Sequence, residues 1–199
     1  MERAKTRLSV DASLRRELAL AMASDTVAAC LLTPGVVSVV VVTDDEVAGP
    51  AMRALGAQVV ADEPDAGLNP ALVHGATMLA LEHPDAGTVM LSSDLPALSP
   101  TALAQLLEQA ESVDSACVAD AAGTGTTVLT TRASVPSTPS FGAGSWQRHI
   151  DGGATDLTAY ADARLRRDVD TTADLAAAIS LGCGAATVTV VSAHPDLLG

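Results

Sequence analysis

Thr88-Val89-Met90-Leu91-Ser92-Ser93-Asp94-Leu95-Pro96 is the stretch whose reading decides the fold. A short apolar run bounded by Gly87 and Pro96 reads as a strand buried on both faces of a parallel sheet, and it ends on an acid. Ligands of open α/β sheets bind outside the carboxyl ends of the strands, so Asp94 is placed to hold a metal or a phosphate-bearing ligand. Asp94 also reads simply as the cap of a turn ahead of Pro96, because Asp is common in turns on its own account.

Upstream, Ser9 or Asp11 can cap a helix running to about Leu32, where Thr33-Pro34-Gly35 stops it. Val36 to Thr43 follows as a nearly unbroken apolar strand ending on Asp44-Asp45. A short helix from Pro50 to Leu55, closed by Gly56, and a strand from Gln58 to Ala61 complete a β-α-β unit whose crossover is right-handed. Asp62 to Pro70 is loop, and a helix from Pro70 to Glu82 leads back to the central strand. Downstream, Ser99-Pro100 opens a helix with its cap and its first-turn proline in order. Ser115 to Asp120 and Thr126 to Thr131 read as a hairpin laid on the edge of the parallel sheet. Thr131 to Gly144 is loop, Ser145 to Ile150 a short helix, and Leu165 to Asp170 a last strand. A further helix to Leu181 opens on Thr171 and Asp174 at capping-box spacing. The tail after Gly184 reads equally as helix or strand, because Thr187, Val188, Val190 and Val191 are β-branched.

A chain of 199 residues, 48% of them hydrophobic, has the size and apolar content of one packed domain. No apolar run approaches the roughly 18 residues of a membrane span, and the first residues lack the apolar centre of a signal peptide, so a cytoplasmic protein without a membrane partner is expected. Cys30, Cys117 and Cys183 are an odd number, each among small apolar residues, and read as buried free thiols. A net charge of −13 with only 11 Lys and Arg repels nucleic acid, and a single Trp, Tyr and Phe cannot build a base-stacking platform.

Two acids at strand ends, Asp94 and one of the pair in Asp168-Val169-Asp170, can converge on a divalent cation. Magnesium takes a few carboxylates plus substrate phosphates, so two aspartates suffice. Asp170 also reads as a helix cap, which makes Asp168 the better ligand candidate. Gly123, Gly125, Gly142 and Gly144 bring backbone N–H groups near Thr126 and Ser145, as phosphate-binding turns do and as ordinary hairpins also do. Arg148 and His149 read as anion donors or, more simply, as surface residues. Patterns for metalloproteases, serine hydrolases and P-loop NTPases are absent from the sequence.

Ala4-Lys5-Thr6-Arg7-Leu8, Leu68-Asn69, Asp94-Leu95-Pro96, Gly123-Thr124-Gly125-Thr126, Phe141-Gly142 with Ser145, Arg148-His149 and Asp168-Val169-Asp170-Thr171 stand in one order. Together they resemble the phosphoenolpyruvate or 2-phospho-L-lactate guanylyltransferases of deazaflavin coenzyme biosynthesis, over nearly the whole chain. The resemblance implies a single Rossmann-like three-layer α/β/α nucleotidyltransferase domain over residues 1–199, mostly parallel with an antiparallel edge hairpin. It implies Mg²⁺ held by Asp94 and Asp168 against the phosphates of GTP, with Lys5 and Arg7 on the triphosphate and Asn69 on the guanine side. Thr126, Gly142 and Ser145 would seat the phosphorylated three-carbon acid. The implied reaction is attack of a substrate phosphate oxygen on the α-phosphorus of GTP, with pyrophosphate leaving in line. Phosphoenolpyruvate is favoured by association with the Ala-rich, Lys-poor branch of the family, and a homodimer or a transfer partner enzyme is left open. One departure stands out: family members carry an apolar strand ahead of the Ala-Lys-Thr-Arg-Leu segment, where this sequence has Met1-Glu2-Arg3.

Overall fold

A computed structural model describes residues 11–63 and 65–198. The first helix, α1 (Ala12–Leu31), starts where the Asp11 carboxylate accepts the N–H groups of Ser13 and Leu14, both at 2.9 Å. It feeds β1 (Val40–Val42), α2 (Ala48–Leu55) and β2 (Gln58–Val60), the expected parallel β-α-β unit, with Val41 opposite Val59. The Asp45 carboxylate accepts the Val47 and Ala48 N–H groups at the start of α2, which hold its pKa below the ordinary value. Then come α3 (Leu68–Glu82), β3 (Thr88–Leu91), α4 (Pro100–Ala110), β4 (Ser115–Ala119), β5 (Thr126–Thr131), α5 (Ser145–Asp151), β6 (Thr155–Asp156), α6 (Ala163–Arg166), α7 (Thr172–Leu181) and α8 (Ala185–Ala193).

The expected layering is present. The second sheet, in the order β3-β5-β4-β6, alternates its side chains between two covered faces. Ala116, Val118 and Val128 pack with Leu103 and Leu106 of α4 and Cys30 of α1. Met90, Cys117 and Leu129 pack on the other side with Phe141 and with Leu72 and Ala76 of α3. Burial on both faces is why these strands read as continuous apolar runs.

Several details depart from the sequence reading. The hairpin lies inside its sheet: β5 sits between β3 and β4, antiparallel to both, and all six of its residues are buried, a position no edge strand could hold. Leu165 to Asp170 is not a strand. Asp162 caps the single turn of α6 by accepting the Arg164 N–H, and residues 167–170 leave it without a sheet partner. The sheet edge is instead the two-residue β6, parallel to β4. The β-branched tail is helical because Asp25, on α1, accepts the Ala186 and Thr187 N–H groups at 3.0 and 2.8 Å and so caps α8 from outside. The three thiols are free, with Cys30 and Cys117 buried and Cys183 half-buried; burial pushes Cys30 up to about 12 and the other two to about 11.

Strand pairing places β1 beside β2 alone and β3 beside β5 alone among the described residues. Between β1 and β3 lies a cavity of about 1040 Å³, walled by apolar residues of α1, α3 and α4 and reaching Ser92, Ser93 and Asp94. The apolar strand that the resemblance puts ahead of Ala4 falls outside the described residues. No helix among the described residues is long and apolar enough to cross a membrane.

The Asp25 cap gives a direct check of how the tail is held. Asp25→Ala leaves two helix N–H groups without their acceptor and is expected to cost about 1–2 kcal/mol, lowering Tm by about 2–8 °C. Asp25→Asn should lose less. Thermal melts of the two variants measure this, and an unchanged Tm in Asp25→Ala would contradict the capping role.

Candidate active site

The Asp94 loop is built from below. Leu95 is fully buried and fixes the loop in the core beside α4. Thr26, buried on α1, donates its one hydroxyl proton to Met22 O at 2.9 Å and to Ser93 O at 3.2 Å, and its oxygen accepts the Leu95 N–H at 3.2 Å. One hydroxyl therefore grips the backbone on both sides of Asp94. The neighbouring Pro96 carbonyl accepts the Gly184 N–H at 2.9 Å, tying the same loop to the start of α8.

The second acid arrives from the far end of the chain. Thr127 on β5 donates to Leu165 O at 2.6 Å, Leu165 and Val169 are fully buried, and Val169 N–H donates to the Asp94 carbonyl at 3.1 Å. Asp168 thus sits on a loop, rather than at a strand end, one residue from a direct bond to Asp94. Its pKa is raised to about 7, first by burial and then by the charges of Asp94, Asp120 and Asp170. A cavity of about 290 Å³ beside it is lined by Asp120, Arg167, Asp168, Asp170, Thr171 and Asp174. Asp170 is exposed. The capping box of α7 is made by Thr171 and Asp174, so Asp170 is not the cap.

Sequence reasoning passed over Asp120 and Thr26. Asp120 closes the turn after β4: its two carboxylate oxygens accept the Thr124 and Gly125 N–H groups, each at 2.9 Å. A Cβ at Gly125 would meet that carboxylate, so a side chain there would have to displace Asp120 from its turn. The available signal was an acid at the end of an apolar strand, the same one that picked out Asp94. Thr26 gave none, because a threonine inside a helix only shows its partner once the fold is built.

The donor set around Asp94 and Asp168 is all carboxylate oxygen, which suits a hard cation, and the mutual repulsion that raises Asp168 is what a divalent ion would relieve. Among the described residues no three or more His, Cys, Asp or Glu form a metal cage. Magnesium fits that arrangement, since it keeps waters and substrate phosphates as its remaining ligands.

The loop from Ser140 to Gly144 is held by three side chains. Asn69 clasps Phe141, accepting its N–H at 2.8 Å and donating to its carbonyl at 3.2 Å. Arg148 donates to Ala143 O at 2.7 Å and Ser140 O at 2.6 Å. His149 is buried, not a surface residue; its Nε2 accepts the Ser140 N–H at 2.9 Å and its Nδ1 lies 2.8 Å from Thr126 Oγ1. Gly142 and Gly144, at φ 120° and 71°, supply left-handed turns that side chains resist. Ser145 Oγ is buried without a hydrogen-bond partner among the described residues. Gly142 lies on this loop, Ser145 opens α5 at its end, and Thr126, at the start of β5, reaches it through His149, while Asn69 joins it by holding Phe141. Lys5 and Arg7 lie outside the described residues.

A protein-family model described as "Guanylyl transferase CofC like" matches residues 1–191. A phosphoenolpyruvate guanylyltransferase of Thermomonospora curvata is 49% identical over 98% of this chain and 86% of its own length. One of Streptomyces coelicolor is 48% identical over 96% of this chain and 92% of its own. A solved structure from Desulfovibrio desulfuricans G20, provisionally named a nucleotide-diphospho-sugar transferase, superposes with a TM-score of 0.71 at 17% identity, covering 98% of this chain and 90% of that one, which speaks for the fold alone. With the family model spanning nearly the whole chain and relatives near half identity, the chain belongs to the CofC-like guanylyl transferase family.

Proposed function

We propose that this protein transfers GMP from GTP to phosphoenolpyruvate, or to 2-phospho-L-lactate, with release of pyrophosphate, as a step in deazaflavin coenzyme biosynthesis. The observation that carries the reading is the approach of Asp168 to Asp94, held by the bond from Val169 N–H to the Asp94 carbonyl. A phosphate oxygen of the acceptor attacks the α-phosphorus of GTP, the bond from that phosphorus to the β-phosphate oxygen breaks, and the electron pair leaves with pyrophosphate. Asp94 and Asp168 would hold Mg²⁺, which supplies neutralisation of the phosphate charge that grows on the leaving group. The remaining work is positioning. Thr126 and Ser145 offer hydroxyls to the anionic acceptor, Gly142 lets the backbone approach it, and Lys5 and Arg7 would meet the triphosphate. No covalent nucleophile is needed, since phosphoryl-type transfer rests on alignment and charge stabilisation.

A second reading is binding of GTP and phospho-acid without turnover. Calorimetry separates the two, since binding heats without pyrophosphate release would select the second. A different acceptor, such as a pterin or sugar phosphate, would appear in the same assay as pyrophosphate release that ignores three-carbon phospho-acids.

Pyrophosphate release from GTP is expected only when a three-carbon phospho-acid is present, and Asp94→Asn should lower kcat by about 100-fold or more. A continuous pyrophosphate assay reads both. Release that ignores the acceptor, or an Asn variant of full activity, would overturn the assignment.

The raised Asp168 predicts a pH dependence of stability. Between its unfolded value of 3.8 and about 7 the folded protein binds more protons than the unfolded chain, so metal-free stability falls as pH rises through that window. Asp168→Asn should flatten the fall. Added Mg²⁺, which needs the ionised form, should raise Tm more at pH 8 than at pH 5.5 in the wild type and little in the variant. Melts with and without Mg²⁺ test this, and an equal Mg²⁺ response in Asp168→Asn would contradict it.

A further inference from the structure

Of the four histidines only His149 is buried, 4% exposed, and the chemistry described so far gives it no part. Its two ring nitrogens are not equivalent. The Ser140 N–H can only donate, and it points at Nε2 from 2.9 Å, so Nε2 must present a lone pair. Burial, and then the charge of Arg148, lower the ring's pKa and hold it neutral. A neutral imidazole with a lone pair on Nε2 carries its proton on Nδ1, and Nδ1 is 2.8 Å from Thr126 Oγ1. Thr126 Oγ1 is therefore the acceptor of that bond. Its own proton is left to point elsewhere, and the hydroxyl has no other partner among the described residues. Phe141 packs edge-on against the ring, with 5.4 Å between ring centroids.

We propose that His149 is a positioning residue: as the Nδ1–H tautomer it fixes the Thr126 hydroxyl as a donor aimed at the anionic acceptor. The opposite tautomer would turn that hydroxyl around, so that it gave its proton to the ring and showed the substrate a lone pair. One backbone N–H at Ser140 thereby sets the polarity of a group in the binding site, through the imidazole. The proposal rests on the reading above that Thr126 faces the phosphorylated acid.

The test compares steady-state constants for phosphoenolpyruvate and GTP in wild type, H149N, H149Q, T126V and the double variant H149Q/T126V, each checked for folding by thermal melt. An Asn amide N–H reaches where Nδ1 stood and restores the donor to Thr126. A Gln amide reaches the Nε2 position, keeps the acceptor for Ser140 and removes the donor. H149N should hold the acceptor KM within about threefold of wild type, while H149Q and T126V each raise it about tenfold with GTP KM and kcat little changed. The double variant should be no worse than T126V alone, because His149 acts only through that hydroxyl. A double variant about 100-fold impaired, or H149N and H149Q equally impaired, would overturn the positioning role while leaving the acceptor site standing. An unchanged acceptor KM in T126V would overturn both. Should wild type release no pyrophosphate with any phospho-acid, the activity reading fails by itself and nitrogen-15 NMR of the wild-type ring decides the tautomer. A protonated Nδ1 with a bare Nε2 supports the proposal, and the reverse pattern overturns it.

Discussion

The hydrogen bond from Val169 N–H to the carbonyl of Asp94 is the constraint on which the candidate active site depends. It joins two segments far apart in sequence, and it sets Asp168 beside Asp94 with like charges facing. Repulsion between the acids works against that placement. What opposes it is burial on either side: Leu95 and Leu165 are fully buried in one core, and Val169 is fully buried in another, together with Leu18, Met22 and Leu175. The acids ride on backbone whose neighbours have nowhere else to go, so apolar packing holds like charges together, and the proposed cation would relieve that repulsion.

Helix α1 distributes that constraint. Asp25 and Thr26 are adjacent on it, and they reach different parts of the site frame: Asp25 fixes the start of α8, and Thr26 fixes the loop carrying Asp94. The Pro96 carbonyl, accepting from Gly184, closes the circuit between those two targets. The loop from Ser140 to Gly144 is braced separately, by Asn69 from α3 and by Arg148 and His149 from α5. The residues proposed for the site thus fall into two braced groups, an acidic one anchored on α1 and a hydroxyl- and glycine-bearing one anchored on α3 and α5.

Much of this was legible in the residues. Apolar runs stopped by Gly and Pro marked the strands, and the Thr171-Asp174 spacing marked the start of α7, because those signals are local. What failed was non-local. Leu165 to Asp170 looks like a strand by content, yet a single Asp162 cap turns its start into α6, and its remaining residues bond to a loop instead of a sheet. Val36 to Thr43 narrows to the three residues of β1, whose one strand neighbour among the described residues is β2. The roles of Thr26, Asp120 and buried His149 depend on partners brought together only by the fold. Asp94 stands out by its place after an apolar strand and Asp168 by a strand reading that the fold overturns, while the roles given to Thr126 and Ser145 come from the family resemblance.

The central claim is that one cation spans two distant aspartates. Manganese in place of magnesium makes that visible, since the paramagnetic ion broadens NMR signals around wherever it binds. With GTP present, substoichiometric Mn²⁺ should broaden the amides of residues 94–95 and 168–170 together, leaving β2 sharp. Broadening at only one of the two segments, or at neither, would contradict the account.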